Sequence, residues 1–233
     1  MFFFRLSGWQ YRFLWILSLL LVLSSTAEST ILKYVNPSEI YPNNITFNVF
    51  RDGDLVGKHQ VTFTKLEEGG FRVVVQLKLQ VTFLSFPVYK LHYKSNAVWQ
   101  NGKLKNLNST TNDDGEISTI NVIRKRNELI VVSKNTKFQT DKNTLPTNHW
   151  NPEVLGDNKV INTLTGELSS IRITSRGKEK IDSMDKTIFA TKYEYSGDIS
   201  TLVWYSDHGN WVKMKFKASD GSDIEYKCIE CGI

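Results

Sequence analysis

What this 233-residue chain lacks narrows it first. Its four histidines, His59, His92, His149 and His208, form neither His-Glu-x-x-His nor His-x-His, so no zinc-peptidase helix is written here. There is no Gly-x-Ser-x-Gly elbow, which removes serine hydrolases of that type. There is no phosphate loop and no dinucleotide fingerprint, and no cofactor is expected. His59 and His92 fall on candidate strands and His208 in a turn, where solvent exposure is the ordinary outcome. A metal site gathered from distant histidines is the less economical alternative. Asp113, Asp114, Glu116, Asp220 and Asp223 crowd into turns, and turn chemistry accounts for them without glycoside cleavage or calcium.

Long apolar runs are also missing, with one exception near the start. Arg5 and Arg12 precede Phe13 to Leu23, and Ser24-Ser25-Thr26-Ala27 follows. A basic region, a short apolar run and small residues are the grammar of a secretory signal peptide, with cleavage expected after Ala27. About 20 apolar residues are needed to cross a bilayer, so the run is too short for an anchor. No later segment is a spanning candidate. Without the first 27 residues, 27 basic side chains face 24 acidic ones, a net charge of +3. That is no nucleic-acid signature. The densest basic cluster, Arg124-Lys125-Arg126, sits at a candidate turn. Residues 28–233 suit a single β domain.

What is abundant is alternation. Phe71, Val73, Val75, Leu77, Leu79, Val81 and Phe83 share one face of a fourteen-residue segment, Phe71–Leu84. Such a strand should bend or bulge, and Pro87 should mark a break or an edge. Tyr89, Leu91, Tyr93, Ala97 and Trp99 repeat the pattern. Val212, Met214, Phe216 and Ala218 alternate with Trp211, Lys213, Lys215 and Lys217. Shorter candidates are 45–50, 58–66, 104–111, 117–123, 129–133, 187–195, 199–205 and 223–227. Asp52-Gly53, Gly69-Gly70, Asn101-Gly102, Asp114-Gly115, Gly209-Asn210 and Asp220-Gly221 punctuate them, and Asn-Gly and Asp-Gly supply the positive φ that tight hairpins need. The fold expected is mainly β: a strongly curved antiparallel meander or an incomplete barrel, with one short helical turn near 152–155.

That turn lies where alternation stops, from about Lys134 to Lys159. Asn151 is a good N-cap, Pro152 suits the first helical position and Glu153 the positive end. Trp150 and Leu155 hold the positions of a hydrophobic staple. His149 is then the residue of "NHWNPEVL" without a structural duty.

Cys228 and Cys231 match the spacing of redox dithiols and of half a zinc site. A second pair is absent, and the motif follows a strand rather than opening a helix. A local disulfide is the plain expectation after export, with free thiols or a redox or metal role as alternatives. Asn44 and Asn108 each begin an Asn-x-Ser/Thr acceptor pattern. Aromatic side chains bear more directly on function. Tyr89, Tyr93, Trp99, His149, Trp150, Trp204 and Tyr205 are the candidate ligand-binding residues of a concave, aromatic face; filling a dry core is the competing role. Trp204 and Tyr205 point to opposite faces, so at least one should meet solvent or be covered by the 134–159 segment.

In order along the chain, "RDGDLVGKH", "FPVYKLHYKSNAVWQNGKL", "TTNDDGE", "LPTNHWNPEVL", "INTLTGEL" and "LVWYSDHGNWVKMKFKASDGSDIEY" resemble an uncharacterised bacterial family of exported proteins, domain-of-unknown-function family 6134, over about residues 45–227. The resemblance implies a periplasmic, single-domain β protein and brings no catalytic residues. That family usually has Tyr where His149 stands, which implies that the position is not catalytic. Three roles follow as expectations: a non-catalytic module binding a lipid-like or other apolar molecule, an envelope structural or interaction protein with a filled core, or an unrecognised hydrolase using His149 or His208.

Overall fold

Alternation over most of the chain becomes one continuous sheet. The computed structural model describes residues 36–183 and 186–233. The expected signal peptide lies outside them. All fifteen strands lie within one unit, Tyr34–Ile233.

The strands are β1 (Ile45–Arg51), β2 (Asp54–Lys65), β3 (Phe71–Phe83), β4 (Phe86–Gln100), β5 (Lys103–Asp113), β6 (Glu116–Lys125), β7 (Glu128–Ser133) and β8 (Lys137–Asp141), then β9 (Leu145–Pro146), β10 (Lys159–Ile161), β11 (Leu168–Ser183), β12 (Lys186–Gly197), β13 (Thr201–Tyr205), β14 (Trp211–Lys217) and β15 (Asp223–Glu230). Their spatial order is β8-β7-β6-β5-β4-β3-β2-β1-β15-β14-β13-β12-β11-β10-β9. Two meanders therefore meet where β1 pairs with β15. The outermost strands, β8 and β9, are joined by residues 142–144 alone. The four Cα–Cα steps from Asp141 to Leu145 span at most about 14 Å, so the sheet must curl until its two edges approach. The interior confirms this: Ser109 on β5 donates to the Thr163 carbonyl at 2.9 Å, and Thr136 donates to the Gly166 carbonyl at 3.3 Å. Mainly β, strongly curved and barrel-like without full closure, the fold is the one expected.

The inner face is apolar because every second residue is. Val73, Val75 and Leu77 of β3 are buried beside Val61, Ala97, Leu107 and Val122 of neighbouring strands. The β3 stripe keeps its apolar character beyond the core, and Phe83 at its end is 67 % exposed. The anticipated irregularity falls between Val81 and Thr82, opposite Pro87. There β4 pairs with β3 alone, so the missing proline N–H costs no ladder bond.

Four strands escape the alternation rule. β8, β9 and β10 are short. β11 is sixteen residues long, yet its middle, Ser175–Lys180, is polar and mostly exposed, with a register shift between Ser175 and Lys178. A strand without a buried stripe leaves no period-two hydrophobic signal.

The capped turn is present as a 3-10 helix, Pro152–Gly156, with Asn151 Oδ1 accepting from the Glu153 amide at 3.0 Å. A second Asn-Pro start opens α1 (Pro37–Ile40), where Asn36 accepts from the Ser38 amide at 3.1 Å. The strands flanking the 3-10 turn, β9 and β10, pair in parallel. Chain joining two parallel strands must cross back over the sheet, and residues 147–158 do so inside the curl. Trp150 is 1 % exposed and meets Phe63 and Trp99 edge-on at centroid distances of 5.5 and 5.3 Å.

Tyr41 ties this crossover to the wall. Its hydroxyl donates to the Trp150 carbonyl at 3.0 Å and accepts from the Trp211 amide at 2.9 Å. Tyr41→Phe leaves two buried backbone groups unpaired, and about 1–3 kcal/mol of stability should be lost per orphaned group. Urea unfolding monitored by tryptophan fluorescence measures it; an unchanged midpoint contradicts the tie.

Candidate functional site

Between the crossover and the strands remains a cavity of about 230 Å³. Val61, Val75, Leu77 and Tyr93 form one wall, Ile171, Tyr195, Met214 and Phe216 the other, and Thr147–Trp150 the floor. Of the lining residues, Leu164 and Ser200 are exposed, so the mouth opens between the 162–167 and 197–200 turns. No Asp, Glu, Lys or Arg lines it. An apolar cavity of about 150 Å³ is enough for a benzene ring, so the space suits one ring or a short acyl chain.

Two histidines line the cavity, His149 in the floor and His59 on β2. His59 opposes the buried Phe47 in the β1–β2 ladder and therefore faces inward, against the expectation of an exposed strand histidine. The Trp211 ring lies between it and His149, at 5.2 and 5.3 Å. Burial lowers the His59 pKa to about 3, helped by the neighbouring His149, and lowers that of His149 to about 4. Both rings are neutral at neutral pH. Neither Nδ1 has a hydrogen-bond partner, nor do the nearby Trp150 Nε1 and Asn148 Nδ2. No carboxylate joins either histidine in the cavity, so the His–acid pair required for general acid–base work is not assembled there. His208 is exposed in its turn and His92 on its strand. Among the described residues no three His, Cys, Asp or Glu side chains converge as metal ligands would.

Of the seven candidate ligand-binding residues, Tyr93, His149 and Trp150 line the cavity. Trp99 is buried behind Trp150, one layer from it. Tyr205 is buried beneath the crossover and donates to the His149 carbonyl at 2.9 Å. Trp204 faces outward, yet is only 3 % exposed: Lys192 and Lys213 lie over its ring, and its Nε1–H donates to Glu179 at 2.7 Å. Tyr89 stands above the core beside Asp113, and burial with that hydrogen bond pushes its pKa to about 12. His59 and Trp211 also line the cavity, although counting along β14 places Trp211 on its polar face. A register shift between Trp204 and Tyr205 places an extra residue on β14 and turns Trp211 inward. Trp next to Val at a strand start was the available signal.

Cys228 and Cys231 are disulfide-bonded. Asn210, fully buried, donates to the Ile40 and Cys231 carbonyls at 2.6 and 3.1 Å, fastening this last turn to α1.

The geometry defines a class: a barrel-like antiparallel sheet around a small uncharged cavity, closed at one end by an internal crossover. A solved structure has the same fold: the β-barrel-like protein of domain of unknown function DUF1849 from Brucella abortus, at a TM-score of 0.58 and 10 % identity, covering 84 % of this chain and 98 % of that one. The family model for the domain of unknown function DUF6134 matches residues 47–229, and the chain belongs to that family. A search of curated proteins found no match.

The histidines make stability depend on pH. Their folded pKa values lie below the unfolded value of about 6.5, so only the unfolded chain gains protons as pH falls. Their contribution is full above pH 6.5 and is lost below it, by up to about 2.7 kcal/mol per pH unit for two groups. Asp157 opposes it: burial, then Glu153, raises its pKa to about 6, which favours the folded state as pH falls through 6. Denaturation between pH 7 and 4.5 should show a net loss that H59F/H149Y abolishes. An equal loss in both proteins contradicts the assignment.

Proposed function

We propose that this is an exported, non-catalytic binding module that holds a small neutral apolar molecule in the cavity floored by its crossover. One observation carries the reading: the cavity of about 230 Å³ is lined by aliphatic and aromatic side chains with no formal charge. A charged group would lose its hydration there without a counter-ion, at a cost of several kcal/mol. A hydrocarbon or aromatic portion loses nothing and gains about 25 cal/mol per Å² buried. The unpartnered donors Trp150 Nε1 and Asn148 Nδ2 in the floor suit a carbonyl or ether oxygen on the deep end of the ligand. The cavity is too small for a whole diacyl lipid, so a long chain would leave through the mouth. The periplasm is the compartment in which an exported protein with a disulfide fits this role.

Native mass spectrometry of the protein purified from its own host tests the proposal. An adduct of a few hundred daltons, released on denaturation, is expected. Val75→Phe places a ring in the cavity and should remove the adduct while the protein stays folded by circular dichroism. Repeated ligand-free spectra from the host, or an adduct indifferent to Val75→Phe, overturn the reading in favour of a filled structural module.

A further inference from the structure

The β3–β4 hairpin outruns its neighbours. The last β2 partner on β3 is Leu79, opposite Gly57, and the last β5 partner on β4 is Leu91, opposite Asp113. From Gln80 to Tyr89 the two strands pair only with each other, Lys90 still accepting from the Asp114 amide at 2.8 Å, and five residues carry the ribbon roughly 16 Å beyond Leu79. A lone two-stranded ribbon is marginal in water and ordinarily covers itself with polar side chains. This one does not. Phe83, Leu84, Phe86 and Val88 are 67, 77, 73 and 54 % exposed.

Its turn breaks the rule that the same chain follows elsewhere. The β1–β2, β4–β5 and β5–β6 turns place Asp52-Gly53, Asn101-Gly102 and Asp114-Gly115 at positive φ. The β3–β4 turn puts Leu84 at φ 48° and Ser85 at φ 69°. Left-handed backbone is unfavourable for a leucine, and this chain uses Asn-Gly or Asp-Gly at the other three turns. A strained, water-exposed leucine at the tip of a projecting hairpin is retained against local stability, the kind of outlier that marks a functional contact.

The ribbon's shape and chemistry choose the partner. It is a projecting two-stranded ribbon. Residues 79–89 carry no charge, and neither β3 nor β4 contains an acid. Behind the apolar tip come Tyr89 and then exposed Lys90 and Lys78, with Lys58 directly opposite Lys78. Like charges facing each other across a ladder are unfavourable in water and favourable against anionic headgroups. Asp113 and Asp114 border Lys90 on one side, and Asp54 lies nearby on β2. Along the strand, Lys90 is about 13 Å from the tip, so a tip buried 5–10 Å in the acyl boundary leaves Tyr89 and Lys90 at headgroup depth, with Lys78 and Lys58 farther out over the charged surface. The finger also rises beside the cavity mouth: the Leu77–Tyr93 pair that lines the cavity is one residue pair below Lys78–His92, and the ribbon follows.

We propose that the Phe83–Val88 hairpin tip inserts into the interface of an anionic lipid bilayer, docking the cavity mouth at the membrane surface. This does not rest on the cavity being occupied.

Flotation of the Tyr34–Ile233 unit with vesicles of equal parts phosphatidylethanolamine and phosphatidylglycerol tests it. That unit contains the whole sheet and core and omits the apolar N-terminal run, which would itself partition. The wild-type unit should float with the vesicles. L84N/S85G gives the turn its ordinary residues, so it should melt at a higher temperature and yet bind about tenfold more weakly, the worth of one buried apolar side chain. F83S/F86S should abolish flotation. K78Q/K90Q should weaken flotation on these vesicles and leave binding to pure phosphatidylcholine unchanged. Equal flotation of wild type and L84N/S85G, or no flotation of a folded wild-type unit, overturns the proposal; a protein-binding tip would give the latter.

Discussion

Parallel pairing of β9 with β10 is the constraint on which the interior depends. Two adjacent parallel strands oblige the intervening chain to return along the sheet, and here it returns through the concave side. Non-repetitive backbone is thereby put where water is scarce, and its carbonyls need partners. Two tyrosines provide them: Tyr41 at the Trp150 carbonyl and Tyr205 at the His149 carbonyl. The side chains that the crossover carries then fill the curl at one end, Trp150 against Trp99 and Phe63. The other end is left open above the floor.

The same constraint explains the electrostatics. A floor made of His149, Asn148 and Trp150, backed by His59 and Trp211, is polar in atoms and neutral in charge. Desolvation keeps both imidazoles unprotonated, because no acid shares the space to compensate a positive ring. The charges are on the convex side instead, where Lys213 pairs with Glu225 at 2.8 Å and Lys192 and Lys213 shelter Trp204. An inside without charge and an outside rich in lysine and carboxylate follow from one alternating pattern on a curled sheet.

Much of this was legible in the chain. Period-two stripes and Asp-Gly or Asn-Gly turns located eleven strands and the curvature, and Asn151-Pro152 located the capped turn. Three things were not legible, for physical reasons. β11 has no apolar stripe in its middle, so its pairing is set by its neighbours rather than by its own sequence. Trp211 faces inward because of a bulge, and a one-residue shift reverses every side assigned by counting. His59 faces inward, on the same side as Val61 and opposite Phe47; the alternation implies it, but a histidine ordinarily takes the wet face of a strand, which hides it in the sequence. In the cavity, Tyr93, His149 and Trp150 could be anticipated from ring chemistry; Trp204 could not be excluded, since lysine stems can bury an outward indole as well as a core does.

Diffraction from crystals pressurised with xenon tests the central claim most directly. Xenon enters empty apolar cavities. The account predicts xenon density between Leu77, Ile171 and His149, against an ordered Trp150. A closed interior with no xenon, or a Trp150 side chain outside the curl, would contradict it.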